Sequence, residues 1–261
     1  MNDRDIFGAW FEGRGPDPMR SAQKGMRPVL PKRFYKSAEV IEKDGSFAVA
    51  LDGRVARTPG KALLAAASRP LAEALAAEWS ALKVEINPTE LPMTRILNSA
   101  IDGVAKHREA VAAEIVSFAS SDLICYRAAE PALLVKRQNE AWDPVLSWAA
   151  AELGAGFECA IGIVHRPQSE TALGRIAAAI EDYDAVALAA LSVLTTLTGS
   201  ALLALAVDRQ RLEAEAAWAA AHVDEDFQIE AWGTDEEAQV RRAGRWREME
   251  AAARVLRLSR A

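Results

Sequence analysis

The sequence is poor in the residues that bind metals and form disulfides. It has two cysteines, Cys125 and Cys159, and three histidines among its 261 residues. Two cysteines are too few for a disulfide scaffold and favour a reducing compartment. The histidines, which are His107, His165 and His222, form no close pair with one another or with a cysteine. Because zinc ligands usually occur in pairs a few residues apart, the sequence predicts no metal site.

Common motifs for nucleotide binding and acyl transfer are also missing. A phosphate-binding loop needs glycine, four residues, glycine-lysine and then serine or threonine. Here six residues separate Gly53 from Gly60, and the lysine that follows is succeeded by alanine. No Gly-x-Ser-x-Gly turn for a nucleophilic serine occurs either. We therefore expect no cofactor, and these gaps weaken the case for an enzyme without removing it.

Basic character is lacking as well. The formal net charge is −6 and the isoelectric point is near 5.3. The chain therefore lacks the excess of positive charge that is usual in proteins that bind nucleic acid or acidic membranes, although this does not exclude a local basic patch. No apolar core of a secretory signal is present. The N-terminus carries Asp3, Asp5 and Glu12, whereas organellar transit peptides contain few acids. We expect a cytoplasmic protein that binds no nucleic acid.

The longest uncharged stretch covers residues 185–207, which are 23 residues. By length alone it could cross a bilayer, which takes about 20 apolar residues. Its many alanines, its serines and threonines, and the lack of a flanking aromatic belt or basic block favour a buried core and no membrane insertion. A helix that is apolar on all sides has to be surrounded by other helices. Gly199 should bend this helix or divide it in two.

The N-terminal part is predicted to be an arm followed by a small β-rich domain. Residues 1–31 show little periodicity, which favours a mobile arm. Short extended runs then alternate with turn signals. The predicted strands are 33–41, 47–51 and 54–57. A helix with its N-cap at Ser68 and its end near Leu82 should cover this antiparallel meander, which gives an α+β domain over residues 32–100.

Helical patterns dominate the rest of the chain and predict a larger all-α domain over residues 101–261. The change from short extended runs to helical patterns places the domain boundary near residues 88–103. The predicted helices are 94–101, one carrying Val104 to Phe118, 131–153, 168–180, 185–207, 212–232 and a final helix after Thr234. The fold class expected is therefore α+β, with the β-rich part first.

The predicted helix over residues 212–232 has two apolar faces. One face must pack on the core. The second carries Trp218, Ile229 and Trp232, with Glu225 inside it. A second layer of helices could cover this face, or it could be an exposed partner-binding surface of the aromatic kind that supplies binding energy.

A tight corner should join this helix to the last one. Gly233 is the residue expected just past a helix end, and Thr234 opens a predicted capping box for the final helix. Glu230 lies in the last turn, where the helix dipole disfavours an acid, so it needs a cationic partner. Arg242 and Arg245 of the final helix are the expected partners. An ion pair that fixes the corner is at least as well supported as a functional role for Glu230.

Six motifs occur in one order along the chain. They are Lys32-Arg33-Phe34-Tyr35, Leu51-Asp52-Gly53-Arg54 with Thr58-Pro59, Ala77-Glu78-Trp79, Asp122-Leu123-Ile124-Cys125-Tyr126-Arg127, Glu140-Ala141-Trp142-Asp143-Pro144 and Gln228-Ile229-Glu230-Ala231-Trp232-Gly233. Together they resemble the assembly chaperone of the F-type ATP synthase that holds the free alpha subunit, a family of mitochondria and alphaproteobacteria. The resemblance covers about residues 32–258. No single motif is decisive, but the six motifs in this order are specific to the family.

The resemblance implies two domains and no catalysis. Such a chaperone binds the alpha subunit before assembly, shields the surface that later faces the beta subunit, and releases it when the beta subunit takes that place. Protection of an exposed apolar interface prevents aggregation. We expect a monomer in the bacterial cytoplasm, with eukaryotic relatives in the mitochondrial matrix.

Residue roles transfer from the family only in part. Trp79 matches a position where substitution is harmful, and its place on a stripe with Leu75 and Leu82 indicates a role in folding. An important acid belongs to the C-terminal region of the family, and Glu225, Asp226 and Glu230 are the candidates. The predicted contact residues are Trp218, Glu225, Asp226, Ile229, Glu230 and Trp232, and the predicted structural residues are Trp79, Gly233 and Thr234.

Two other functions remain as alternatives. One is a small-molecule enzyme with an interdomain pocket near Cys125, in which Asp122 and Arg127 would assist. A nucleophilic cysteine needs a histidine and an acid that converge in space, and lone cysteines are more often buried apolar residues. The other is a general holdase, which would bind many unfolded proteins equally well.

Overall fold

The structure is a computed structural model that describes residues 30–162 and 164–260, so nearly all of the predicted arm over 1–31 lies outside it. A small antiparallel sheet with one covering helix comes first, and the remainder is mostly helical. The predicted α+β class is confirmed. The division into two domains stays a prediction, because one continuous buried cluster includes residues from the sheet, its covering helix and the helical part.

The strands and helices follow one another with short connections. The strands are β1 (Ala38–Lys43), β2 (Ser46–Leu51), β3 (Arg54–Val55), β4 (Ala65–Ala66), β5 (Tyr126–Arg127) and β6 (Ala160–Ile161). The helices are α1 (Arg69–Ala81), α2 (Pro92–Asp102), α3 (Arg108–Ser120), α4 (Ala132–Trp148), α5 (Glu170–Ile180), α6 (Ala185–Thr198), α7 (Ala201–Asp208), α8 (Ala214–Ala221), α9 (Val223–Trp232) and α10 (Glu236–Ser259). Single 3-10 turns cover Pro88–Glu90, Val104–Lys106 and Leu123–Cys125, and a π-helical turn, Ala149–Leu153, follows α4.

The first sheet is built around β2. β1 pairs antiparallel with its whole length, while β3 and β4 share its other edge. The predicted first strand began too early, at residue 33. The backbone of Arg33 pairs instead with Val84, whose carbonyl accepts its N–H at 2.8 Å. β4 was not predicted, because two alanines carry too little pattern to indicate a strand.

Helix α1 closes over β1 and β2 as expected. Its N-cap is Ser68, whose hydroxyl accepts the N–H of Leu71 at 3.4 Å, and it ends at Ala81. Leu71 and Leu75 are buried against the sheet. This helix also holds the start of α2, because the Glu78 carboxylate accepts the N–H groups of the first α2 turn and the Trp79 indole donates to the Thr94 hydroxyl at 3.1 Å.

The uncharged stretch forms the centre of the helical part. Gly199 has φ +66° and separates α6 from α7, which confirms the predicted division. Asp184 caps α6 and Ser200 caps α7, each through a side-chain oxygen that accepts a backbone N–H. α2, α3, α7 and α10 pack around α6, as an apolar helix requires. Across residues 30–162 and 164–260, no helix is long and apolar enough to cross a membrane.

Candidate partner-binding surface

The predicted helix over residues 212–232 is two helices, α8 and α9, with a break at His222. The sequence prediction of one helix is therefore wrong at this point. Two causes are visible: His222 has a backbone conformation (φ −116°, ψ 18°) outside the helical region, and three acids in the next turn favour a new helix start there. The His222 ring folds back, and its Nδ1 lies 2.7 Å from the Trp218 carbonyl.

Trp218 lies in the core instead of on an exposed face. Its ring is 3.9 Å from the His222 ring and 5.7 Å from the Trp246 ring, centroid to centroid. Only 9% of Trp218 is exposed. Since α10 supplies Trp246 as cover, the side chain offers almost no surface to a partner, and Trp218 is removed from the candidate contact residues. Burial lowers the pKa of His222, which keeps this imidazole neutral at physiological pH.

Helix α9 is held on one side by α4. Gln138 is buried, donates from its amide nitrogen to the Asp224 carboxylate at 2.7 Å, and accepts the Ala128 N–H at 2.8 Å with its amide oxygen. The Trp142 indole donates to the Ala220 carbonyl at 2.7 Å. These bonds tie the α8–α9 break to α4.

Two ion pairs hold the rest of α9. Glu230 pairs with Arg137 of α4 at 2.8 Å, and Asp226 pairs with Arg242 of α10 at 2.5 Å. The prediction that Glu230 has a cationic partner is confirmed, but the expected partner was wrong. Arg242 reaches Asp226 instead, and Arg245 donates to the Leu197 carbonyl at 3.1 Å. The hydrogen bond to Asp226 raises the pKa of Arg242.

The α9–α10 corner is the exposed end of this assembly. Trp232, the last residue of α9, is 88% exposed, and Val240 on α10 is 66% exposed. Gly233 follows with φ +81°, a conformation that favours glycine. The predicted capping box is shifted by one residue, because Asp235 and not Thr234 is the N-cap; its carboxylate accepts the Ala238 N–H at 2.7 Å.

The candidate surface therefore consists of Glu225, Ile229, Glu230 and Trp232, together with Val240. Glu225 and Glu230 are exposed, and Ile229 is half-buried. Asp226 lies nearby but is half-buried and engaged by Arg242. Such a surface, an aromatic side chain beside carboxylates, suits a partner with an apolar patch flanked by basic groups.

Sequence reasoning missed Arg137 and Gln138. One signal was available for Gln138: it falls four residues from both Leu134 and Trp142, on the apolar stripe of α4, where an unpaired amide would be costly. No signal was available for Arg137, since its partner Glu230 lies far away along the chain.

The group around Cys125 is occupied by structural contacts. The Cys125 thiol is 2% exposed, and burial raises its pKa, the opposite of what activates a nucleophile. Asp122 accepts the backbone N–H groups of Ile124 and Leu202. Arg127 donates to the Ile124 carbonyl and pairs with the α4 carboxylate of Asp143 at 2.8 Å. Within the described part of the chain, no three His, Cys, Asp or Glu side chains gather as a metal site would require.

Comparison with known proteins agrees with the ordered motifs. A family model described as ATP12 chaperone protein matches residues 32–150. The crystal structure of Atp12 from Paracoccus denitrificans has a TM-score of 0.82 at 41% identity, covering 88% of this chain and 98% of that chain. The crystal structure of the Atu1473 protein of Agrobacterium tumefaciens has a TM-score of 0.85 at 48% identity, covering 98% of this chain and 96% of that chain. The mitochondrial protein atp12 of Schizosaccharomyces pombe is 23% identical over 219 residues, 79% of this chain and 75% of its own length.

The two bacterial structures share both fold and sequence with this protein over nearly their whole length. The family is one of chaperones and not of enzymes. The resemblance inferred from the motifs is confirmed: this chain belongs to the ATP12 chaperone family, whose members assist the assembly of ATP synthase.

Proposed function

We propose that this protein binds the free alpha subunit of the F-type ATP synthase, shields the surface that will face the beta subunit, and releases it when the beta subunit binds there. On this proposal it acts in the bacterial cytoplasm as a monomer and catalyses no reaction. Membership of the chaperone family supports the role in assembly. The identity of the partner rests on the resemblance of the motifs.

The observation that supports the contact site best is the exposure of Trp232. A tryptophan that is 88% exposed contributes little to the fold, yet α9 is fixed from both sides by the pairs to Arg137 and Arg242. Because these pairs fix the backbone of α9, binding need not order that helix, and tryptophan is enriched among the residues that dominate interface energies. The exposed Glu225 would then select a basic group on the partner, since the Glu230 carboxylate is already paired with Arg137.

The test is a pull-down with separately expressed alpha and beta subunits and an unrelated unfolded protein. We expect capture of alpha alone and its release when beta is added. Trp232→Ala should weaken capture about 30-fold, the effect of losing a hot spot of about 2 kcal/mol, with unchanged thermal stability. Glu225→Lys should weaken capture in a salt-dependent way.

Phe34→Ala is the matched control, because Phe34 is also a largely exposed aromatic residue (74%) but belongs to the β-rich part. It should bind alpha as the wild type does. Full capture by folded Trp232→Ala and Glu225→Lys would contradict the contact site. Equal retention of alpha, beta and the unfolded protein would instead indicate a general holdase.

The enzyme alternative receives no comparable support. Each member of the group around Cys125 is committed to the structural contacts described above, and the raised thiol pKa disfavours the thiolate. The neighbouring histidine, His165, bonds through Nδ1 to the Tyr126 hydroxyl at 3.0 Å.

A further inference from the structure

The chain's two cysteines are brought side by side by the small parallel sheet. β5 and β6 pair in parallel with Tyr126 opposite Ala160, so Cys125, the last residue of a 3-10 turn, and Cys159 each come directly before one of these two paired residues. Both are free thiols. The paired residues that follow the cysteines lie on neighbouring strands, which are about 4.8 Å apart, and a disulfide spans a Cα separation of about 4.4 to 6.8 Å.

The two sulfurs differ in access. Cys159 is exposed, and it lies beside a surface segment that includes the exposed side chains of Ile161 and Val164. Cys125 is buried under it, and both desolvation and the nearby Asp122 carboxylate raise its pKa. A reagent in solution therefore reaches Cys159 first, while Cys125 is placed to react only with the Cys159 sulfur, once that sulfur is part of a mixed disulfide.

We propose that Cys125 and Cys159 are a reversible dithiol that closes to an intramolecular disulfide, with Cys159 as the primary site of modification by low-molecular-weight disulfides. In the first step the Cys159 thiolate attacks the small disulfide, forms a mixed disulfide and releases one small thiol. In the second step, which is slow because burial makes the Cys125 thiolate scarce, Cys125 attacks the Cys159 sulfur and breaks the mixed disulfide, and its proton passes to the small thiolate that leaves as a second small thiol. Two electrons pass from the protein thiols to the small disulfide.

The placement gives this bond a defined structural consequence. The loop between the two cysteines contains all of α4, the helix whose Arg137 and Gln138 hold α9. A disulfide would close that loop and restrict its unfolded conformations. In a reducing compartment the resting form is the dithiol, and the disulfide forms only under oxidation.

The test is incubation of the full-length reduced protein with oxidised glutathione, followed by intact mass measurement and a thiol count in denaturant. We expect the wild type to lose both thiols and two hydrogen atoms of mass, to stay monomeric on a non-reducing gel, and to recover with dithiothreitol. A non-reducing digest should yield the peptide of Cys125 joined to that of Cys159.

Two variants separate the steps. Cys125→Ala should hold one glutathione as a stable mixed disulfide on Cys159, and Cys159→Ser should remain unmodified. The digest of the wild type shows whether the Cys125–Cys159 disulfide forms, and it does so even if Cys125→Ala misfolds. Stable glutathione on wild-type Cys159 without closure, both thiols intact after prolonged oxidation, or disulfide-linked dimers would each overturn the proposal.

Discussion

Asp122 should make folding stability fall as the pH rises through the mildly acidic range. Its side chain is fully buried and accepts the N–H groups of Ile124 at 3.3 Å and Leu202 at 3.0 Å. Burial nevertheless raises its pKa from the usual 3.8 to about 6. Because the folded state then binds this proton more tightly than the unfolded chain, the free energy of unfolding is highest below pH 3.8 for this group and declines up to about pH 6. The difference between the two pKa values corresponds to about 3 kcal/mol.

Urea unfolding of the wild type and Asp122→Asn, followed from about pH 4 to about pH 7, measures this effect. The variant cannot ionise, so the wild-type value minus the variant value should fall by about 2 kcal/mol over this range, since the unfolded carboxyl is already partly ionised at its lower end. Glu39→Gln, which removes a carboxylate from the exposed edge of β1, is the control. A difference that rises with pH would refute the reasoning, since it would mean that the N-terminal dipole of α7 outweighs desolvation.

Further predictions concern glycines and are checked by thermal unfolding. Gly199→Ala should destabilise the protein by about 1 kcal/mol, because Gly199 has φ +66° between α6 and α7, whereas Gly244→Ala, in the open interior of α10, should stabilise it by up to about 1 kcal/mol. Equal effects would contradict the conformational argument. Gly60→Ala should cost about 1 to 3 kcal/mol, because its Cβ would lie 2.5 Å from an Asp102 carboxylate oxygen that the loop holds in place. The same cost in an Asp102→Ala background would show that this contact is not the cause.

Local chemistry was sufficient to predict much of the fold. Ser68 was correctly predicted as the N-cap of α1, and Gly199 divides the apolar stretch as expected. The change from extended runs to helical patterns indicated where the mostly helical part begins. Each of these signals acts within about one helical turn of the chain, which is the range over which sequence patterns are informative.

Structural features that depend on contacts between distant residues could not be predicted from the sequence. The apolar spacing of residues 212–232 is compatible with one helix, and the break at His222 is seen only in the structure, where Trp218 of α8 packs on Trp246 of α10. The region of the candidate surface was predicted. The ion pair that holds it in place was not, since Arg137 of α4 meets Glu230 of α9 only after the two helices have packed. Which of its residues are exposed also depends on the cover that α10 supplies.

Helix α10 has a consequence for the order in which the protein can fold. It is synthesised after all the other helices, yet it packs on α1, α2 and α6, and the Ser68 hydroxyl at the start of α1 donates to the carbonyl of Leu258 at 2.6 Å. While a ribosome still holds α10, the apolar side of α6 that it will cover faces water, a state prone to aggregation. Contacts between residues so far apart in the chain also form slowly. Each nascent copy therefore passes through an interval of vulnerability that ends only when α10 docks.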